Sequence, residues 1–135
     1  MDMTTTLEVS AKGMAAQNTR LRVIAENLAN AVTTGSSPGA DPYRRKTVTF
    51  ENKLDKSIGT TVVDVRKIAH DTTPFPQKYD PGSPAADTNG YVKMPNVSSF
   101  VEVMDMKEAQ RSYSANLNVL ETTRGMMTHT LDLLK

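Results

Sequence analysis

The chain has 135 residues, room for one ordinary domain or for a pair of long elements carrying a small insertion. Sixteen Lys and Arg stand against fifteen Asp and Glu, and a net charge of +1 gives no electrostatic case for nucleic acid or an anionic membrane surface. With no Cys there is no disulfide framework, thiolate metal site or cysteine nucleophile, and with no Trp, four Tyr and three Phe a thick globular core is not expected.

The N-terminus, "MDMTTTLEVSAKGM", lacks the basic region, apolar run and small-residue cleavage site of a secretory signal peptide. No stretch approaches the roughly 20 apolar residues that a membrane span requires. Instead, Leu7, Met14, Leu21 and Leu28 recur at intervals of seven, with Ala11, Ile24 and Ala31 beside them. That rhythm predicts a long helix, and Thr5 followed by Glu8 predicts its capping box. The helix closes in "ENLANAVTTG", where Asn27 and Asn30 occupy adjacent turns of one face. Asparagine disfavours helix interiors, so the pair asks for a reason. The two amides are expected to satisfy carbonyls at the helix end and to reach another subunit's backbone, fixing register in an assembly. The plainer alternative makes Asn30 a C-terminal cap ahead of Gly35.

All seven prolines, from Pro38 to Pro95, lie in the middle of the chain, which argues against a long helix there. "KTVTF" (46–50), "TTVVDVRKI" (60–68) and "GYVKM" (90–94) read as short strands. "TGSSPGADP", "TPFPQ" and "DPGSP" read as turns and loops. This unit has too few apolar residues to stand robustly alone.

The C-terminal segment repeats the first rhythm. Met106, Tyr113, Leu120, Met127 and Leu134 fall at intervals of seven, interleaved with Val103, Leu117 and Leu131, and Ser99 with Glu102 reads as a capping box. Helices of about 29 and 37 residues would reach roughly 43 and 55 Å, so each must bury its stripe. The expected fold is mainly α with a small β-containing insertion, the two terminal helices paired as an antiparallel coiled coil. Residues 1–34 and 97–135 form the helical domain, and 35–96 the strand- and loop-rich insertion. Gly13 and Gly125, inside the helices, are expected to permit close helix approach, and Asn116 and Asn118 to answer Asn27 and Asn30 from the other helix. Met14, Met104, Met106, Met126 and Met127 suit contacts that vary from neighbour to neighbour, although core filling explains any one of them.

Catalytic chemistry is not in view. His70-Asp71 is the one pair suggestive of metal, but the only other histidine, His129, sits far along the second helix and no ligand spacing accompanies them. No nucleophile elbow or phosphate-binding glycine loop occurs. Arg44-Arg45-Lys46 beside Tyr43 reads as a solvated loop or a local ion pair. The residues predict no enzyme, cofactor or catalytic site.

"AAQNTRLRVIAENLANAVTTG" (15–35), "PYRRKTVTFE" (42–51), "DTNGYVKMPNV" (87–97) and "RSYSANLNVLETTRGMMTHTLDLL" (111–134) together resemble the bacterial flagellar basal-body rod proteins. "NLANAVTTG" is similar to a signature shared by rod, hook and related axial proteins. "NGYVKMPNV" before the last helix, in so short a chain, is similar to the proximal rod members. The resemblance implies a structural subunit of a hollow helical tube that transmits torque and continues the export channel. It implies packing against itself and other rod subunits through the helical stripes, with the insertion facing outward. It further implies passage through the flagellar type III export apparatus without a cleaved signal, a place in the rod crossing the periplasm, and ring proteins or peptidoglycan as further candidate contacts. The opening "TTTLEV" departs from the family in being more polar. The competing reading is a soluble coiled-coil adaptor or chaperone of the export system, which a discrete stable dimer would favour.

Overall fold

The computed structural model describes residues 2–133. Its elements are helix α1 (Met3–Ala29), strands β1 (Lys46–Asp55), β2 (Thr60–His70), β3 (Gln77–Tyr79) and β4 (Tyr91–Lys93), and helix α2 (Ser99–Leu133). The fold is mainly α with two small β-hairpins between the long helices. β3 falls in a stretch read as loop from its prolines. Its three residues pair with β4, Lys78 opposite Val92 and Tyr79 opposite Tyr91, and the two tyrosine rings meet edge-on at 5.3 Å.

Neither expected capping box forms. α1 begins two residues before Thr5, and Asp2 leads it: the Asp2 carboxylate accepts from the Thr4 hydroxyl at 2.7 Å and its carbonyl from the Thr6 N–H. At α2, the Glu102 N–H donates to the Ser98 carbonyl, while the Glu102 side chain turns away to other partners.

β1 and β2 are joined by the turn Lys56–Gly59, where Gly59 holds φ of 65° and nothing crowds it. Cross-strand ion pairs Lys53–Asp64 at 3.0 Å and Arg66–Glu51 at 3.8 Å line the ribbon. The second glycine turn closes β3–β4. Gly90 has φ of 82°, and a Cβ there would stand 2.9 Å from the Tyr79 ring.

The chain compacts as two units. Residues 1–21, 48–67 and 106–135 form unit 1; residues 22–47 and 68–105 form unit 2. Each draws on both helices. In unit 1, Ser10, Ala16, Val62, Ala109 and Thr123 are buried. Gly13 lies against Asn116 and Arg20 pairs with Glu108 at 3.7 Å, so these stretches of α1 and α2 run antiparallel. In unit 2, Val23, Ile24, Asn27, Ala85, Val92 and Glu102 are buried.

The apolar rows are only partly inside. Leu7, Met14, Leu21 and Leu28 are half-buried and Ile24 is buried; Met106, Tyr113, Leu120 and Met127 are half-buried. Leu134 lies outside the described residues. The second row expected on α2 faces outward: Val103, Leu117 and Leu131 are exposed, Leu131 at 61%. The buried row lies one position earlier, at Glu102, Ala109 and Thr123, with Asn116 half-buried between them. Hydropathy misses this row because three of its four members are polar.

Candidate functional site

Two buried polar residues, one from each long helix, meet inside unit 2. Asn27, on the last turns of α1, is 1% exposed, and so is Glu102, on the first turn of α2. A carboxamide has two donor hydrogens and two acceptor lone pairs. Asn27 uses all four. Its Nδ2 donates to the Lys46 carbonyl at 2.9 Å and to Glu102 Oε2 at 3.0 Å. Its Oδ1 accepts from the Tyr43 hydroxyl and from the Lys46 N–H, both at 2.9 Å. The side chain therefore imitates a neighbouring strand for the entry to β1. Both donors and both acceptors of the Asn27 amide are thus engaged within the chain.

Glu102 divides its carboxylate. Oε2 takes Asn27, and Oε1 accepts from Arg45 Nε at 2.5 Å. Arg45 also lies 3.7 Å from Asp71 and 3.6 Å from Asp105, so one guanidinium gathers carboxylates from two segments. Burial opposes the Arg45 charge, but Glu102, Asp71 and Asp105 outweigh it and hold the proton more firmly than usual. Asp71, just past β2, is held below the ordinary carboxylate range by the Thr73 N–H and hydroxyl, with Arg45 adding to them. At the rim, Lys46 Nζ and Glu26 meet at 2.8 Å, which lowers the carboxyl and raises the ammonium. Burial raises the Tyr43 phenol.

Asn96 extends the junction to the segment before α2. Its Oδ1 accepts from the Arg45 N–H at 2.8 Å, and its Nδ2 donates to Asp71 and Thr73. Arg44 lies over the Phe75 ring at 4.1 Å and donates to the Asp71 carbonyl. The solvated-loop reading of Tyr43 to Lys46 thus gives way to the local ion pair, extended into a half-buried network. Sequence reasoning missed Arg45 and Glu102. The signal available was Glu102 standing seven residues before Ala109 and fourteen before Asn116.

The remainder of "NLANAVTTG" acts locally. Asn30 Nδ2 donates to the Glu26 carbonyl at 2.9 Å and its Oδ1 accepts from the Thr33 hydroxyl, so both ends of the amide act at the end of α1. Gly35 closes the stretch because a Cβ would stand 2.7 Å from the Ala40 carbonyl oxygen. In unit 1, a Cβ on Gly13 would lie 3.1 to 3.3 Å from the Asn116 carboxamide, whose Nδ2 donates to the Ser112 carbonyl. A Cβ on Gly125 would meet nothing within 4 Å among the described residues, so no close approach within the chain is made there.

Among the described residues no group of His, Asp or Glu is placed to hold a metal, and no helix is long and apolar enough to cross a membrane. The network ties segments together.

Residues 7–35 match the family model described as flagella basal body rod protein, and 88–133 match that described as flagellar basal body rod FlgEFG protein C-terminal. The flagellar basal-body rod protein FlgC of Agrobacterium fabrum is 55% identical, over 95% of this chain and 92% of its own. FlgC of Salmonella typhimurium is 42% identical over 93% of both chains, and FlgC of Bacillus subtilis 35% over 96% of both.

Proposed function

The chain belongs to the family of the flagellar basal-body rod protein FlgC and is a structural subunit of that rod, and we propose that it works there by packing its outward helical rows against neighbouring subunits. Its role is structural, not enzymatic, and it assembles with other rod components. The observation that carries the packing reading is α2. Phe100, Val103, Met104, Leu117, Met126, Leu131 and Leu133 are all exposed, spread along the whole helix. A soluble helix ordinarily hides such residues.

Contacts between unlike surfaces that do not close on themselves build helical tubes. In this reading the helical ends, 1–34 and 97–135, form the rod core as an antiparallel coiled coil, and 35–96 forms the outer insertion. The subunit sits in the proximal rod, carries torque outward and continues the export channel. The polar seam between the helices leaves the apolar rows free for neighbours. An apolar groove of about 550 Å³ in unit 1, walled by Leu7, Ala11, Leu120, Met127 and Leu131, supports the same reading. Export through the flagellar type III apparatus and contacts with rings or peptidoglycan belong to the proposal as consequences of that location. An adaptor or chaperone role has no comparable support.

Deletion of the gene, followed by electron microscopy of purified basal bodies, tests the assignment. Membrane rings without rod or hook, restored by the wild-type gene, are the expected result. Intact rods would overturn it. Met104→Glu and Leu131→Glu then test the packing surface: both chains should keep their helix content and fail to restore motility.

A further inference from the structure

The helix pair carries two kinds of heptad row, and only one of them can tell one register from another. The half-buried rows place Leu, Met or Tyr at every seventh position. Sliding one helix past the other by seven residues would match such rows equally well. The seam between them is different. On α1 it runs Thr6, Gly13, Arg20, Asn27; on α2, read backwards, it runs Thr123, Asn116, Ala109, Glu102.

Two rungs of this seam are fixed by direct geometry, one in each unit. In unit 1, Gly13 leaves the space that the Asn116 carboxamide fills. In unit 2, the Asn27 carboxamide takes Glu102. Thr6 and Thr123 line one cavity, and Ala109 is fully buried with its neighbour Glu108 paired to Arg20. The two middle rungs set small against large, and the two outer rungs set polar against polar. A slip of one heptad in one direction sets Ala109 before Asn27 and strips the amide of its carboxylate. The opposite slip sets Asn116 before Thr6, away from the space that Gly13 leaves.

We infer that this seam is a register lock: Gly13 with Asn116 and Asn27 with Glu102 hold α1 and α2 in a single antiparallel alignment that the apolar rows would not choose. Buried polar residues at seam positions select register in paired helices at some cost in stability. In a subunit whose exposed rows meet neighbours, the lock fixes where those rows stand. It rests on the contacts within the chain and not on the packing proposed for the rod.

The absence of cysteine makes disulfide trapping clean. Thr6→Cys with Thr123→Cys reports the native register. Thr6→Cys with Thr130→Cys reports a slip of one heptad, about 10 Å along the helix, beyond the roughly 7 Å that a disulfide tolerates. In the otherwise unaltered full chain only the first pair should close. In a chain also carrying Gly13→Ala, Asn27→Leu, Glu102→Leu and Asn116→Leu, the second pair should begin to close, at least tenfold faster than before. Equal closure of both pairs in the unaltered chain, or closure of the first pair alone in the released chain with its helix content kept, would overturn the lock. Should the released chain not fold, a swapped rung decides. Gly13→Asn alone should slow closure of the native pair, and Gly13→Asn with Asn116→Gly should restore it. A swap that restores nothing would refute size matching as the code.

Discussion

Asn27 and Glu102, 75 positions apart, share a 3.0 Å hydrogen bond in the interior of unit 2, and neither side chain has an apolar substitute of the same function. The amide supplies both a donor for the carboxylate and a docking edge for Lys46. Removing it leaves a carboxylate oxygen, a main-chain carbonyl, a main-chain N–H and a phenol without their partner.

Asn27→Ala should therefore destabilise the isolated chain by about 3 kcal/mol or more, since each buried group left unsatisfied costs about 1–3 kcal/mol. Urea denaturation followed by circular dichroism measures it. A loss below about 1 kcal/mol would show that water replaces the amide freely. Asn27→Asp should be worse, because it brings a second carboxylate to Glu102.

The Arg45–Glu102 pair should show strong coupling. Breaking a buried pair by removing one partner costs about 3–5 kcal/mol, whereas removing both partners costs less than the sum. Glu102→Ala, Arg45→Ala and the double variant form the cycle. Arg45→Lys should not rescue, because an ammonium lacks the fork that serves Glu102, Asp71 and Asp105 together. Additive single effects would refute the coupling.

The long helices and three of four strands were legible because they rest on period and turn chemistry, which are local. The seam was not. Glu102 was read as the partner of Ser99, since three-residue spacing is a local rule, yet its carboxylate is claimed by Asn27 and Arg45 from distant segments. The same limit hid Arg45, whose neighbours Arg44 and Lys46 made it look solvated. Asn27 drew notice by violating helix propensity, but the identity of its partners depends on the tertiary path of Tyr43 to Lys46. Hydropathy likewise placed the inner row of α2 at Val103, Leu117 and Leu131, because it cannot foresee that polar side chains satisfy one another inside.

Stability should fall at both pH extremes, with the sign set by the direction of each shift. Glu26 and Asp71 are held below the ordinary carboxylate range, Glu26 by Lys46 and Asp71 by Thr73 and then Arg45. Their contribution is present above the unfolded carboxylate pKa of about 4 and is lost as pH falls through the lowered folded value. Lys46 is raised by Glu26, and Tyr43 by burial. Their contribution is complete below unfolded values of about 10 and is lost as pH rises through the raised folded ones. Melting temperature against pH should show a plateau between these limbs. Asp71→Asn should lower the plateau and flatten the acid limb; an unchanged acid limb would remove Asp71 from the account.

The two helical glycines should respond in opposite directions to alanine. Away from other contacts, Gly→Ala within a helix stabilises by up to about 1 kcal/mol, because the flexible residue loses more backbone freedom on folding. Gly125→Ala in the isolated chain should show that gain, as its new methyl meets nothing within 4 Å among the described residues. Gly13→Ala places a methyl 3.1 to 3.3 Å from three atoms of the Asn116 carboxamide, closer than ordinary contact. Asn116 must then move, and its bond to the Ser112 carbonyl moves with it. The displacement should cancel the helix gain and produce a net loss. Asn116→Ala in the Gly13→Ala background should recover the gain, since the methyl then has room. Thermal melts of the four chains decide it: equal stabilisation by both single substitutions would mean that the Asn116 carboxamide yields at no cost and that Gly13 is not held by it.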